Sequence, residues 1–322
     1  ERLPGRGGEE AGAARRAAVS VTVFGTGALG CWVAGRLAQT VPVAVVGTWV
    51  EGLEAIRGRG IRVDEPQGRL QARPQAVQLG RPLPPAEFVL VLVKSHQTAS
   101  VAVAAAAAAQ PAGRIVTLQN GLGNREALQA ADHGGRVRAG VVVAGARLTA
   151  PATVTVVPGP VTLESAGDPA MARLAAVMAA AGFETRRVDD IEPELWRKVA
   201  INCAINPLSA LHGLPNGALL EDEGLRATLR AAAAEVEAVA AARGVPLREA
   251  AAAAEAIARG TASNRSSMLQ DLDRGARTEI DALCGAVVRE ARRLGLPAPV
   301  NERLWREVRA REGRPVDLGA TA

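Results

Sequence analysis

The sequence predicts an α/β fold, with an N-terminal Rossmann-type doubly wound parallel sheet followed by an all-α C-terminal domain. Three observations carry that prediction. A β-branched run opens into Gly25-Thr26-Gly27-Ala28-Leu29-Gly30 and then a helical segment; apolar strands alternate with helical patterns up to about residue 188; beyond residue 193 the pattern is helical with almost no strand signal. The chain has 322 residues, more than one core usually serves, because single cores stop growing near ~250–300 residues.

Residues 1–18 are rich in Gly, Arg, Glu and Ala without a hydrophobic period, and a disordered leader is expected there; Glu9, Glu10 and the lack of serine argue against a transit peptide. A Rossmann domain is expected over 19–188. Its first strand is the run Val-Ser-Val-Thr-Val-Phe at 19–24, followed by the glycine turn and an amphipathic helix at 31–39. A strand at 41–46, a helix at 51–59 and a fully apolar strand at 88–93 continue the beat. It then runs through helix 98–109, strand 114–118, helix 125–131 and strand-like runs at 140–144 and 154–157. The helical domain is expected over 189–313, with helices at 195–211, 225–243, 247–258, 267–294 and 301–311, and with 314–322 as a disordered tail. The alanine runs at 104–109 and 250–254 are helix formers.

Composition removes several function classes. Aromatics are 2% and Tyr is absent, so the cores must be Ala, Val and Leu. No apolar run approaches the ~18 residues of a membrane span. Cys31, Cys203 and Cys284 lie far apart without C-x-x-C spacing, and His96, His133 and His212 are equally scattered. A structural metal is not expected, and a reducing, cytoplasmic setting is. The net charge of +5 comes from dispersed basic residues with no aromatics between them, which indicates a solvated arginine surface rather than a nucleic-acid site. Of the 38 Lys and Arg residues only Lys94 and Lys198 are lysines. Arginine stays protonated whereas lysine can give up its proton, so both positions are candidates for chemistry that needs an amine.

The strand, Gly-x-Gly-x-x-Gly, helix order is a dinucleotide fingerprint in its required context. Gly25 permits the tight turn, Gly27 lets the backbone approach a pyrophosphate, and Gly30 lets helix and strand pack closely. The second strand ends in Val46-Gly47-Thr48-Trp49, with no carboxylate before Glu51 to hold ribose hydroxyls. That acid-free end leans toward NADP, with Thr48 as a hydrogen-bonding group for the 2′-phosphate, although the expected arginine is also absent there. Lys94 and Asn120 follow neighbouring strands and so project at the carboxyl edge of the sheet, as ligand contacts or as a surface lysine and a turn-forming Asn-Gly. In the helix 195–211, Lys198, Asn202 and Asn206 recur at steps of four and share one face with about 40° of drift per step. Asparagines in an apolar helix are costly unless they hydrogen-bond something, so a cleft-facing stripe accounts for them better than a solvated outer face. Asn216 and Asn264, each ordinary for a turn or cap, join the candidates. Glu279 falls in the helix 267–294 among Arg274, Arg277 and Asp281, where an ion-paired solvated face is the ordinary reading; Asp271 and Asp273 point to different sides of that helix.

Several separated motifs together resemble the ketopantoate reductase family from about residue 21 to 311. They are Gly25–Gly30, Val93-Lys94-Ser95-His96-Gln97, Gln119-Asn120-Gly121-Leu122-Gly123, and Trp196-Arg197-Lys198 leading to Asn202 and Asn206-Pro207. The last is Ser266-Ser267-Met268-Leu269-Gln270-Asp271, leading to Thr278-Glu279-Ile280-Asp281. The resemblance implies NADPH-dependent reduction of 2-dehydropantoate to (R)-pantoate in pantothenate and coenzyme A biosynthesis. Lys198 would then be the general acid, and Lys198, Asn202, Asn206, Asn216, Asn264 and Ser267 would hold the substrate. The glycine turn (Gly25, Thr26, Gly27, Ala28, Leu29, Gly30) with Thr48, Lys94, Asn120, Ala146 and Glu279 would contact NADP. No nucleic-acid or membrane partner is expected, and a homodimer is left open. The alternatives are a reductase of another small 2-oxo acid on the same fold, or a non-catalytic NADP-sensing regulator.

Overall fold

The computed structural model describes residues 19–314. The leader expected over 1–18, and all of the expected tail except Arg314, lie outside the described residues. The N-terminal half contains β1 (Val21–Phe24), α1 (Ala28–Leu37), β2 (Val43–Gly47), α2 (Val50–Arg59), β3 (Ile61–Glu65), β4 (Gly68–Ala72), β5 (Gln75–Gln78), β6 (Ala86–Val91), α3 (Thr98–Ala108) and β7 (Ala109–Thr117). It continues through α4 (Asn124–Gln129), β8 (Val137–Val142), β9 (Gly145–Ala150), β10 (Thr153–Val157), β11 (Val161–Glu164), α5 (Pro169–Ala180) and β12 (Thr185–Val188). The rest is helical: α6 (Glu192–His212), α7 (Glu223–Ala242), α8 (Ala250–Gly260), α9 (Ser267–Asp273), α10 (Cys284–Arg293) and α11 (Pro299–Arg311). Among the described residues no helix is long and apolar enough to cross a membrane.

The main sheet has the order β12-β11-β8-β7-β6-β1-β2-β5 and is parallel from β5 across to β8, where β11 joins antiparallel. Fully buried parallel strands need aliphatic runs, which β1, β2 and the Phe88-Val89-Leu90-Val91 stretch of β6 provide. Their carboxyl ends deliver the glycine turn, Thr48 and Lys94 to one edge.

Two expectations need correction. The run at 154–157 belongs to a separate four-stranded sheet, β4-β3-β10-β9, rather than to the doubly wound sheet. Ile61 and Val63 of β3 and Val154 and Val156 of β10 are fully buried in the same core as Cys31, Trp32 and Val33 of α1. The expected amphipathic helix is thus buried nearly all round, because it lies between two sheets. Gly35 makes room for this: a Cβ there would stand 3.0 Å from Val63 and 3.2 Å from Ile61.

The helix expected over 267–294 is broken into α9 and α10. Gly275, at φ 63°, ends α9 with Ala276 N–H bonding back to the Asp271 carbonyl, a six-to-one closure that favours glycine at the left-handed position. Thr278 and Glu279 therefore sit in a connecting turn, not on a solvated helix face. The helical half has its own core, centred on α6 and including Trp196, Val199, Cys203, Val236, Leu283 and Leu304.

The tightest glycine contact tests the packing of α1 on β1. A Cβ at Gly30 would lie 2.1 Å from the Gly25 carbonyl oxygen, while one at Gly27 meets nothing within 4 Å. Gly30→Ala should cost on the order of 1–3 kcal/mol in urea denaturation, as overpacking of a fixed backbone does. Gly27→Ala should stay within about 0.5 kcal/mol of the parent, the ordinary range of a surface substitution.

Candidate active site

The glycine turn builds an anion cradle. Gly25 needs its φ of 130°, and a Cβ there would be 2.7 Å from the Leu92 carbonyl oxygen at the end of the neighbouring strand. The first turn of α1 has Gly27 as its cap, no side-chain capping bond and no acidic residue. Its leading N–H groups are consequently unsatisfied and face the open space above Gly27, at the positive end of the helix dipole. Ala28 and Leu29 supply the backbone of that turn, and Thr26 packs against Gly47, where a Cβ would come within 2.7 Å of its side chain. Thr48 is exposed just beyond. A dinucleotide pyrophosphate fits this cradle by charge, donor supply and space.

Along the same edge a polar cluster joins the two halves of the molecule. Glu279, 7% exposed, receives N–H and O–H hydrogen bonds from Ser95 (3.0 and 2.9 Å) and an Nδ2 hydrogen bond from Asn120 (3.1 Å). Lys94 Nζ lies 2.6 Å from Asp271 and 3.8 Å from Glu279. Burial pulls the Lys94 pKa down, but the carboxylates of Glu279 and Asp271 outweigh it and hold the amine above its ordinary 10.5. Gly121 accommodates the close approach of the helical half: at φ 83°, a Cβ on it would stand 2.5 Å from the Ala282 carbonyl oxygen, and Leu122 N–H donates to that oxygen.

Helix α6 brings the second lysine to the opposite side of the cleft. Lys198 Nζ donates to the Val142 carbonyl at 2.5 Å, at the carboxyl end of β8. Burial lowers its pKa to about 8, with the negative charge of Glu279 opposing the shift. Asn202 is partly buried and Asn206 is 8% exposed. Their side-chain amides have no partner among the described residues, so the hydrogen-bonding capacity of the stripe is unused. Pro207 follows inside the helix and cannot donate to the Cys203 carbonyl, which instead receives a weak contact from the Cys284 thiol.

Asn216 and Asn264 adjoin through the Asn216 N–H to Asn264 carbonyl bond of 2.9 Å. Asn216 Nδ2 donates to Thr261, and its buried Oδ1 has no partner. Ser267 is exposed at the start of α9, where the neighbouring Ser266 does the capping by accepting from Leu269 N–H and donates to the Asn206 carbonyl. Asn206, Asn264 and Ser267 thereby share one neighbourhood. Ala146 lies in edge strand β9 opposite Val156, beside Gly145, where a Cβ would stand 3.5 Å from Asn264 Nδ2.

Two residues absent from the sequence-based candidates are integral to the cluster. Ser95 holds Glu279 with both its N–H and its hydroxyl. Asp271 is 2% exposed and shared between Lys94 and Arg274. The signal for Asp271 was its position on the inner side of α9, four residues beyond Ser267, with an apolar Met268-Leu269 pair between.

The family described as "Ketopantoate reductase PanE/ApbA" matches residues 21–167, and "Ketopantoate reductase PanE/ApbA C terminal" matches residues 190–312. A relative from Halobacterium salinarum, named 2-dehydropantoate 2-reductase, is 38% identical over 287 residues, covering 87% of this chain and 94% of its own. The crystal structure of a PanE/ApbA family ketopantoate reductase from Ralstonia eutropha JMP134 superposes with a TM-score of 0.85 at 35% identity, covering 92% of this chain and 99% of that one. D-mandelate dehydrogenase, solved with NADH and anilino(oxo)acetate, shares the fold with a TM-score of 0.84 at 22% identity, covering 92% of this chain and 99% of that one.

The Lys94–Asp271 pair can be tested on stability. Asp271→Asn should cost about 1–2 kcal/mol in urea denaturation at neutral pH, because a buried acceptor loses its charge-assisted partner. Asp273→Asn, whose pair with Arg265 is about half exposed on both sides, should change stability by less than about 0.5 kcal/mol. Since folding raises the Lys94 pKa, the pair contributes fully below the ordinary lysine value of 10.5, and the deficit of Asp271→Asn should shrink as pH climbs beyond it.

Proposed function

Because the chain belongs to the ketopantoate reductase family, we propose that it reduces 2-dehydropantoate to (R)-pantoate with NADPH, in the cytoplasm, as a step toward pantothenate and coenzyme A. The observation that carries this reading is the Lys198 amine. It is desolvated to a pKa of about 8 and held at the sheet edge beside the unused amides of Asn202 and Asn206.

A nicotinamide held at the glycine turn would supply hydride to the ketone carbon. The ketone oxygen gains negative charge as this happens, and a protonated Lys198 both stabilises that charge and donates the proton. One N–H of Lys198 is engaged by the Val142 carbonyl, which leaves two others for a substrate oxygen. A pKa near 8 suits the task, since the amine is still charged at neutral pH yet gives up its proton more readily than an exposed lysine. Asn202 and Asn206 offer neutral donors and acceptors to the carboxylate and hydroxyl oxygens of the substrate. The unpaired Oδ1 of Asn216 offers an acceptor to a hydroxyl. Asn264 and Ser267 complete that side. Lys94, Asn120 and Glu279, at the sheet edge beyond the glycine turn, would contact the dinucleotide. Ala146 stands on the family resemblance.

Turnover is measured as NADPH oxidation with ketopantoate, beside 2-oxoisovalerate, which lacks the hydroxymethyl group. Fast turnover with ketopantoate alone is expected; turnover with the other 2-oxo acid and none with ketopantoate would replace the substrate. Lys198→Ala should lower kcat by about 10²–10⁴, the usual worth of a positioned general acid. For the parent enzyme kcat/KM should be level at neutral pH and fall as pH rises through about 8, because the neutral amine has no proton to give. A profile flat to pH 10 would remove Lys198 from that role.

A further inference from the structure

The end of β2 carries neither the acid that binds a ribose diol nor the arginine that binds a 2′-phosphate, and the fold supplies a cation from the next strand. We propose that Arg81, in the turn after β5, receives the 2′-phosphate of the dinucleotide and sets the preference for NADPH over NADH. The inference rests on the nicotinamide-cofactor reading above and assigns its specificity.

The register places Arg81 there. β5 runs parallel to β2 with Gly47 opposite Gln78, and Leu79 N–H donates to the Gly47 carbonyl at 2.9 Å, so Leu79 stands beside Thr48. Neighbouring strands are about 4.8 Å apart. The chain then reverses in a tight turn, with Gly80 at φ 91° and Arg81 N–H bonded to the Gln78 carbonyl at 3.1 Å, which keeps Arg81 at the carboxyl edge. An arginine side chain is long enough to reach from there toward Thr48.

Availability also singles out Arg81. Six arginines lie from α2 up to β6. Arg57 donates to the Ala76 carbonyl, Arg59 to Pro151, Arg73 to Gly58, and Arg62 and Arg69 pair with Asp64. Arg81 is exposed and, of these six, is alone among the described residues in having neither an ion pair nor a side-chain hydrogen bond. Thr48, also exposed, has an equally unused hydroxyl. A planar guanidinium with a neighbouring hydroxyl matches a phosphate monoester, which it can bind through two parallel N–H bonds. The nearest carboxylate along β2–α2 is Glu51, in the first turn of α2, where it would favour a ribose diol instead.

Calorimetric titration of NADP⁺ and NAD⁺ into the parent, Arg81→Ala and Arg73→Ala tests this without turnover. The parent should bind NADP⁺ more tightly. Arg81→Ala should lose about ten- to a hundredfold in NADP⁺ affinity, the worth of a charge-assisted pair, while NAD⁺ affinity stays within twofold and Arg73→Ala keeps both. An Arg81→Ala protein that retains the parent's NADP⁺ to NAD⁺ ratio, or weakens both alike, overturns the role of Arg81 and leaves NADPH use standing. A parent that prefers NAD⁺ overturns both readings and points to Glu51, with Glu51→Gln then expected to weaken NAD⁺. The Arg81 side chain has no ion pair or hydrogen bond among the described residues, so the variant should keep the parent's Tm.

Discussion

A carboxylate can stay ionised out of water only where donors surround it, and Glu279 takes all of its hydrogen-bond donors from the other half of the molecule. The N–H and hydroxyl of Ser95 and the amide of Asn120 converge on it from the ends of two Rossmann strands, with Lys94 close by. This sets how the helical half docks. The contact of Gly121 with Ala282 follows immediately after Glu279 in the chain and leaves no room for a side chain. With that seam closed, α6 lies across the sheet edge and Lys198 reaches the end of β8. The charge that locks the seam also acts on the two lysines, although burial dominates at Lys198 and the carboxylates dominate at Lys94.

The two lysines thus have opposite environments for one physical reason. Lys94 has a carboxylate within 2.6 Å and a second at 3.8 Å, so it stays a fixed cation suited to holding an anion or an electron-rich ring. Among the described residues Lys198 has only a carbonyl as its direct partner, so desolvation wins and its proton becomes transferable near neutral pH. An arginine would serve the first position tolerably, whereas the proton transfer proposed at the second calls for an amine.

The small second sheet supports the cradle from behind. It covers the outer face of α1, so that Cys31, Trp32 and Val33 are fully buried between two sheets. Trp32 and Arg36 are further tied to Glu65 of β3. A glycine turn is flexible in isolation. Here the helix that follows it is clamped on both sides, and its free N–H groups hold a fixed direction.

What the sequence determined by itself was everything carried by local spacing. The glycine turn needs only its own backbone, the buried strands only aliphatic runs, and the Lys198-Asn202-Asn206 stripe only the period of one helix. Tertiary structure decided the rest. Ile61 and Val63 alternate with polar neighbours, yet which sheet β3 would join depended on β10, far along the chain. Asp271 looks like one of two acids on a long helix until Lys94, 177 positions away, meets it. Glu279 passes for a surface residue of a long helix until Gly275 ends that helix and the freed turn meets Ser95 and Asn120. Local propensity arises from contacts within a few residues, whereas the burial and charge of a site arise from which distant segments exclude water together, and only packing specifies those.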